Sequence, residues 1–234
     1  MSLSKLFNGY TEQNKIRIVA FGSSVVERTI EGTHWFDCLD MAIASKFGRV
    51  HQCLNCGQRG DTTQDLLNRF DNDLVIFKPH VTFVKVGGND TEKDKNIGAK
   101  EFKKNMQFIV ERLKEIGSKV IFMTYHLPIP NIYGLERTNK LKSFMEVIRD
   151  TSKLNNIYLI DDMKLWETLC EAYPDIHRRL IEDDVHLTPL GNLFLGLSLL
   201  KQLKLDMAFR DPVYWKEAND ILQLSNAKSK LIEL

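Results

Sequence analysis

A chain of 234 residues, 43% apolar and 27% charged, suffices for one α/β domain with a sizeable core and is too apolar for disorder or a fibrous repeat. Its 32 lysines and arginines against 31 acidic residues leave a net charge of +1, which gives no electrostatic reason to expect a nucleic acid or a membrane surface as partner. The opening MSLSKLFNGYTEQNK lacks a signal-like apolar core, and the longest apolar stretch, Leu190 to Leu200, falls well short of the roughly 20 residues that cross a bilayer; the expectation is a soluble, cytoplasmic protein without membrane insertion.

Ile16–Phe21 (IRIVAF) is a continuous β-rich run, which predicts a strand covered on both faces. Trp35, Phe36, Leu39, Ile43 and Phe47 recur at helical spacing and predict a helix over Trp35–Phe47. Val50–Leu54 reads as a short strand. Thr62 with Asp65 three places on is a capping-box pattern opening a helix whose inner face is Leu66, Leu67 and Phe70. Val81–Val86 is the third strand, and Phe102–Ile116 a long amphipathic helix stopped by Gly117. Val120–Tyr125 is the fourth strand, Leu141–Leu154 a helix, Ile157–Ile160 the fifth strand, and a helix follows near Leu165–Tyr173. Thr188 and Pro189 suit the N-cap and first position of a helix running to about Leu203. The tail from Asp211 to Leu234, with Val213, Trp215, Ile221, Leu222 and Leu224, reads as an added helix that packs either on the domain or on a partner subunit, the latter giving a homo-oligomer. The organisation expected is an extension over 1–15, a domain over 16–205 and a helical extension over 206–234.

Strands alternating with helices mean a five-stranded parallel sheet wrapped on both faces, a flavodoxin-like three-layer α/β/α sandwich built from right-handed crossovers. Ligands of such sheets sit beyond the carboxyl ends of the strands, where strand order reverses. Gly22-Ser23-Ser24-Val25 follows the first strand, Asn55 through Thr62 the second, and Gly87-Gly88-Asn89-Asp90 the third, while Asp183-Asp184-Val185-His186 lies past the fifth. Together these hold the parts for acyl transfer. A serine hydroxyl needs a base within hydrogen-bond reach, and His186 can serve Ser24, with Asp183 fixing the ring's tautomer. The oxyanion formed by attack on an ester needs donors, and the backbone N–H groups of Ser24 and Gly60 and the side-chain amide of Asn89 are available.

Each residue also has a plain structural reading. Ser24 suits a tight turn, Gly60-Asp61 a turn and cap, Asn89 or Asp90 a helix N-cap, and His186 a polar loop. Four such coincidences at four strand-related places favour catalysis. The adjacent pairs Asp161-Asp162 and Asp183-Asp184 read as surface carboxylates and turn caps rather than a metal site. Cys38, Cys53, Cys56 and Cys170 are expected as free thiols, since Cys53-x-x-Cys56 with His51 nearby lacks a second ligand pair at zinc-like spacing.

These segments resemble the blocks of the SGNH (GDSL) hydrolase family, over roughly Ile16 to Leu203. The resemblance makes Ser24 the nucleophile, Gly60 and Asn89 oxyanion donors, and Asp183 and His186 the remaining triad members, with no cofactor or metal. Two positions depart from the family pattern: Ser23 stands where an aspartate is usual, and Arg59 where a small residue precedes the oxyanion glycine. Ser23, Arg59 and His126 are candidate substrate contacts. Arg59 either binds an anionic part of the substrate or pairs with a nearby carboxylate, and His126, in a predicted pocket wall over Tyr125–Pro130, is a pocket or core histidine rather than a second base. The loops carry Asn, Gln, Arg and Thr, which suggests a small-molecule ester with a short acyl group, acetyl, on a polar or carbohydrate-like alcohol. The alternatives are a lysophospholipase or acyl thioesterase and, in another class, a non-catalytic small-molecule-binding module on the same fold.

Overall fold

The computed structural model describes residues 6–29, 31–205 and 216–225. Strands β1 (Ile16–Gly22), β2 (His51–Gly57), β3 (Val81–Lys85), β4 (Lys119–Met123) and β5 (Tyr158–Ile160) form one parallel five-stranded sheet in the order β2-β1-β3-β4-β5. The first crossover runs outward to β2 and the next returns past β1 to β3, so the strand order reverses beside β1. Register aligns the strand ends there: Gly22 lies opposite Gly57 on one side and Lys85 on the other. The loops that leave β1, β2 and β3 therefore start at one level.

Right-handed crossovers in opposite directions put helices on both faces. Helix α1 (Trp35–Phe47) packs against α9 (Pro189–Leu203), and α4 (Ala99–Glu115) against α6 (Leu135–Asn155), where Phe102 and Phe144 stack with centroids 4.3 Å apart. Helices α2 (Thr63–Asn68) and α3 (Phe70–Asp73) follow β2, α5 (Pro130–Tyr133) leads into α6, and α7 (Asp162–Ala172) and α8 (Pro174–Arg179) follow β5. The capping box at Thr62 and Asp65 and the Thr188 cap with Pro189 form as the sequence suggests. Other elements begin earlier than their apolar pattern does. Helix α6 starts at Leu135 rather than Leu141, because its first turns, LERTNK, bury only Thr138 and carry no apolar period. Strand β2 differs at its other end, continuing past Leu54 to Gly57 as a half-buried edge strand whose last residues have no hydrophobic signal.

The leucine-rich α9 is apolar all round because it is covered on several sides. One cover is α1; the helix at residues 216–225, here α10, buries Ala218, Ile221 and Leu222, and Leu222 lines a cavity with Ser198, Lys201 and Gln202 of α9. Arg179 hydrogen-bonds Glu217, fixing α10 to the end of α8. This part of the tail packs on the domain, and only Leu224 of its named apolar residues is exposed; Val213 and Trp215 lie outside the described residues. Near the other end, Phe7 stacks on Phe47 with centroids 4.5 Å apart. Among the described residues, no helix is long and apolar enough to cross a membrane.

Candidate active site

The chain leaves β1 through Gly22, where a Cβ would lie 2.0 Å from the Lys85 carbonyl oxygen, so only glycine lets this strand end press against β3. The backbone N–H groups of Val26 and Glu27 then donate to the Ser23 carbonyl at 2.9 and 3.0 Å, closing a tight turn around Ser24. The turn is pinned from both sides, by the Trp35 indole N–H on the Val25 carbonyl (2.8 Å) and by the Asn55 amide on the Val26 carbonyl (2.6 Å).

The loop after β2 reaches Gly60 at φ +83°, a conformation that favours glycine, with open space where a side chain would begin. Its neighbour Asp61 is gripped by Arg69, whose Nε lies 2.6 Å from the carboxylate. The same guanidinium donates to the carbonyls of Gly22 (3.0 Å) and Cys56 (2.9 Å), tying the ends of β1 and β2 to this loop. Burial pushes the Asp61 carboxyl above its ordinary range, against the pull of Arg69. The loop after β3 joins in through Asn89, whose amide donates to the Asp61 carbonyl at 2.8 Å and keeps its second hydrogen. Asp90 turns inward and accepts from the Thr63 backbone N–H (2.9 Å) and hydroxyl (2.5 Å), so it caps α2 from a distant loop. Burial raises its carboxyl to about 6. Among the described residues, the backbone N–H groups of Ser24 and Gly60 have no acceptor.

His186 arrives from a loop between α8 and α9. His186 Nε2 lies 3.0 Å from Ser24 Oγ, and its Nδ1 lies 2.6 Å from Asp183 Oδ2. A carboxylate only accepts, so Nδ1 carries a proton, and in that tautomer Nε2 is the atom that accepts from the serine hydroxyl. The other carboxylate oxygen accepts the backbone N–H groups of Val185 (2.8 Å) and His186 (2.7 Å). Burial pushes the Asp183 carboxyl up, but these bonds and the His186 ring outweigh it and hold it well below the usual carboxylate range. A cleft beside the pair is lined by Ser24, Glu27, Thr29, His34, His186 and Asn192. His34 is neutral there, burial lowering it to about 4.

The structure thus brings Ser24, Asp183 and His186 into hydrogen-bonded contact and links the Gly60 and Asn89 loops through Asp61. It does not bring all three candidate substrate contacts to the surface. Ser23 and His126 are both 0% exposed: the serine side chain is buried against Tyr125, and the His126 ring lies behind the Asp183–His186 loop, 2.6 Å from the Val185 carbonyl. Neither presents a surface to a ligand. Arg59 is 66% exposed, and its Nε stands 4.0 Å from Glu27 at the cleft edge.

Asp161 caps α7 as a turn aspartate should, but Asp162 is no surface carboxylate: it is fully buried, 3.0 Å from the equally buried Lys85, which also donates to the Thr124 carbonyl at 2.5 Å. Burial pushes Lys85 down, while the charge of Asp162 opposes the shift. Cys53 and Cys56 are free thiols on β2, and three residues apart on a strand they face opposite sides. Cys53 looks toward Asp40 and Asp37 of α1, Cys56 toward Arg69. Arg69 and Lys85 carry no motif; a lysine inside the apolar run Val81–Val86 is a signal that could have pointed to burial, whereas Arg69, between Asn68 and Phe70, offers none.

The model of the GDSL-like lipase/acylhydrolase family matches residues 20–193. An uncharacterized lipoprotein, YqeF, of Bacillus subtilis (strain 168) is 27% identical over 186 residues, covering 66% of this chain and 72% of its own length. An acetylxylan esterase of Geobacillus stearothermophilus is 23% identical over 160 residues, covering 64% and 71%. Among solved structures, the acetylxylan esterase Axe2 of Geobacillus stearothermophilus superposes with a TM-score of 0.71 at 18% identity, over 84% of this chain and 97% of its own. The acetyl xylan esterase AlAXEase gives 0.70 at 23% identity, over 80% and 98%. The chain, with this sheet and this match over most of its length, belongs to the GDSL-like lipase/acylhydrolase family and is an ester-bond hydrolase of SGNH fold.

Proposed function

We propose that the protein removes a short acyl group, acetyl, from a polar, carbohydrate-like alcohol through a covalent acyl-enzyme on Ser24. The observation that carries this reading is the unbroken relay Ser24 Oγ–His186 Nε2–His186 Nδ1–Asp183 Oδ2, at 3.0 and 2.6 Å. In the first step Ser24 Oγ attacks the ester carbonyl while its proton passes to His186 Nε2, and Asp183 stabilises the imidazolium. The carbonyl oxygen gains the charge and is held by the Ser24 and Gly60 N–H groups and the Asn89 amide. Collapse breaks the ester bond, and His186 returns the proton to the leaving alcohol. Water then attacks the acyl-enzyme, giving its proton to the same histidine; the acid leaves and Ser24 is restored. No cofactor enters this sequence.

The cleft beside Ser24 is small, with free space of about 20 Å³, which supports a short acyl group over a long chain. Its polar lining by Glu27, Thr29, His34 and Asn192 supports a polar substrate over a lipid one. The likeness to acetylxylan esterases points the same way. A series of aryl esters from acetate to palmitate, followed by acetylated xylo-oligosaccharides, tests the substrate. Turnover that falls steadily with chain length, together with acetate release from the sugar ester, is expected. A preference for long chains would replace this substrate with a lysophospholipid or acyl thioester.

A further inference from the structure

The loop that carries Asp183 and His186 runs from the end of α8 to the Thr188 cap without regular structure. Its own closures are local: the Glu182 N–H donates to the His186 carbonyl at 2.8 Å, and Ile181 bridges Leu187. The segment that leaves β4 grips this loop at two successive carbonyls. The Ile129 backbone N–H donates to the Asp184 carbonyl at 2.8 Å, and His126 Nε2 lies 2.6 Å from the Val185 carbonyl. The segment is itself anchored to α8, where His177 Nε2 contacts the Leu127 carbonyl at 3.0 Å.

The second grip acts on one peptide plane. The Val185 carbonyl and the His186 N–H are opposite ends of a single rigid unit. His126 holds the carbonyl end, and Asp183 Oδ1 holds the N–H end at 2.7 Å. The orientation of that plane sets where the His186 side chain departs. A carbonyl only accepts, so His126 Nε2 carries the proton, and Nδ1 is bare and, among the described residues, buried without a partner. The ring is clamped between Tyr125, with centroids 5.0 Å away, and Trp166 at 4.9 Å.

We infer that His126 is a positioning residue, whose Nε2–H locks the Val185–His186 peptide and thereby aims the His186 ring at Ser24. Burial and then the nearby Lys85 charge keep the ring far below its ordinary protonation range, so the single-donor tautomer persists at neutral pH. His126 was a candidate substrate contact by sequence; its place in the fold makes it an internal brace.

The inference rests on the reading of His186 as the base for Ser24, and the experiment separates the two. Wild type, Ser24→Ala, His126→Phe, His126→Gln and His126→Asn are compared on a short aryl ester. Phenylalanine keeps the ring and its stacking but loses the donor, so kcat falls on the order of 10- to 100-fold, as for a displaced base, with KM within about twofold. Glutamine reaches the carbonyl with an N–H and recovers most of the loss; asparagine is too short and behaves like phenylalanine. The far-downfield proton resonance of the His186–Asp183 hydrogen bond is retained in the glutamine variant and shifted or broadened in the other two. Full kcat in folded His126→Phe, or equal losses in the glutamine and phenylalanine variants, would overturn the assignment. Should Ser24→Ala keep full turnover, the acyl-enzyme reading fails, and the proton resonance alone decides whether His126 positions the ring.

Discussion

Ser24, Gly60 and Asn89 stand on the short exits of β1, β2 and β3, while Asp183 and His186 stand on an irregular loop far along the chain, and the two regions are held by different means. The first is braced from below by buried polar groups: Arg69 ties Asp61 to the ends of β1 and β2, and Asp90 caps α2. The second is half-exposed and shaped by one carboxylate and one peptide plane. Sheet register and buried braces fix the serine side, so damage to those braces should spread into stability. The histidine side hangs on a few directed bonds, so damage there should appear in turnover while the fold survives.

The largest effects test the join between the regions. Ser24→Ala or His186→Ala should each cost on the order of 10⁶-fold in kcat, with melting temperature nearly unchanged. On the histidine side, Asp183→Asn should cost about 10⁴-fold in kcat through the wrong ring tautomer, again with little change in stability. If it unfolded the protein instead, the contrast between the regions would be lost.

On the serine side, Arg69→Met removes one member of a buried ion pair whose side chains are 13% and 7% exposed. Denaturant unfolding should show a loss of about 3–5 kcal/mol. A loss confined to kcat would mean that the brace is catalytic rather than structural. Asn89→Ala should lower kcat by about 10²- to 10³-fold, the worth of one oxyanion donor.

The smallest effect concerns Asp90. Its carboxyl is raised to about 6 from 3.8 in the fold, so the folded state favours the protonated form. The resulting stabilisation is fully present below the unfolded value and is lost as pH rises through the folded one. Wild type should therefore fall relative to Asp90→Asn between about pH 4 and 6, by up to about 3 kcal/mol. Urea midpoints across that range measure it, and parallel curves would show that Asp90 titrates normally.

The same contrast explains what was legible in the sequence. Strand runs, the Thr62 and Thr188 caps and the segments after each strand are local patterns, and the sheet turns them into one rim without further information. Element starts that lack apolar residues, such as the first turns of α6, are set by tertiary contacts and leave no period to read. The burial of Asp162 and Arg69, and the partner of the core histidine His126, were illegible for a related reason. Whether a polar side chain is buried depends on which distant segments converge on it, as Lys85 does on Asp162 and Val185 on His126.

Reaction with a fluorophosphonate, followed by location of the modified residue, most directly tests whether Ser24 is activated by His186. A single adduct on Ser24, formed far more slowly in His186→Ala, is the expected result. A folded wild-type protein that takes up no probe, or takes it up on another residue while Ser24 stays free, would contradict the account.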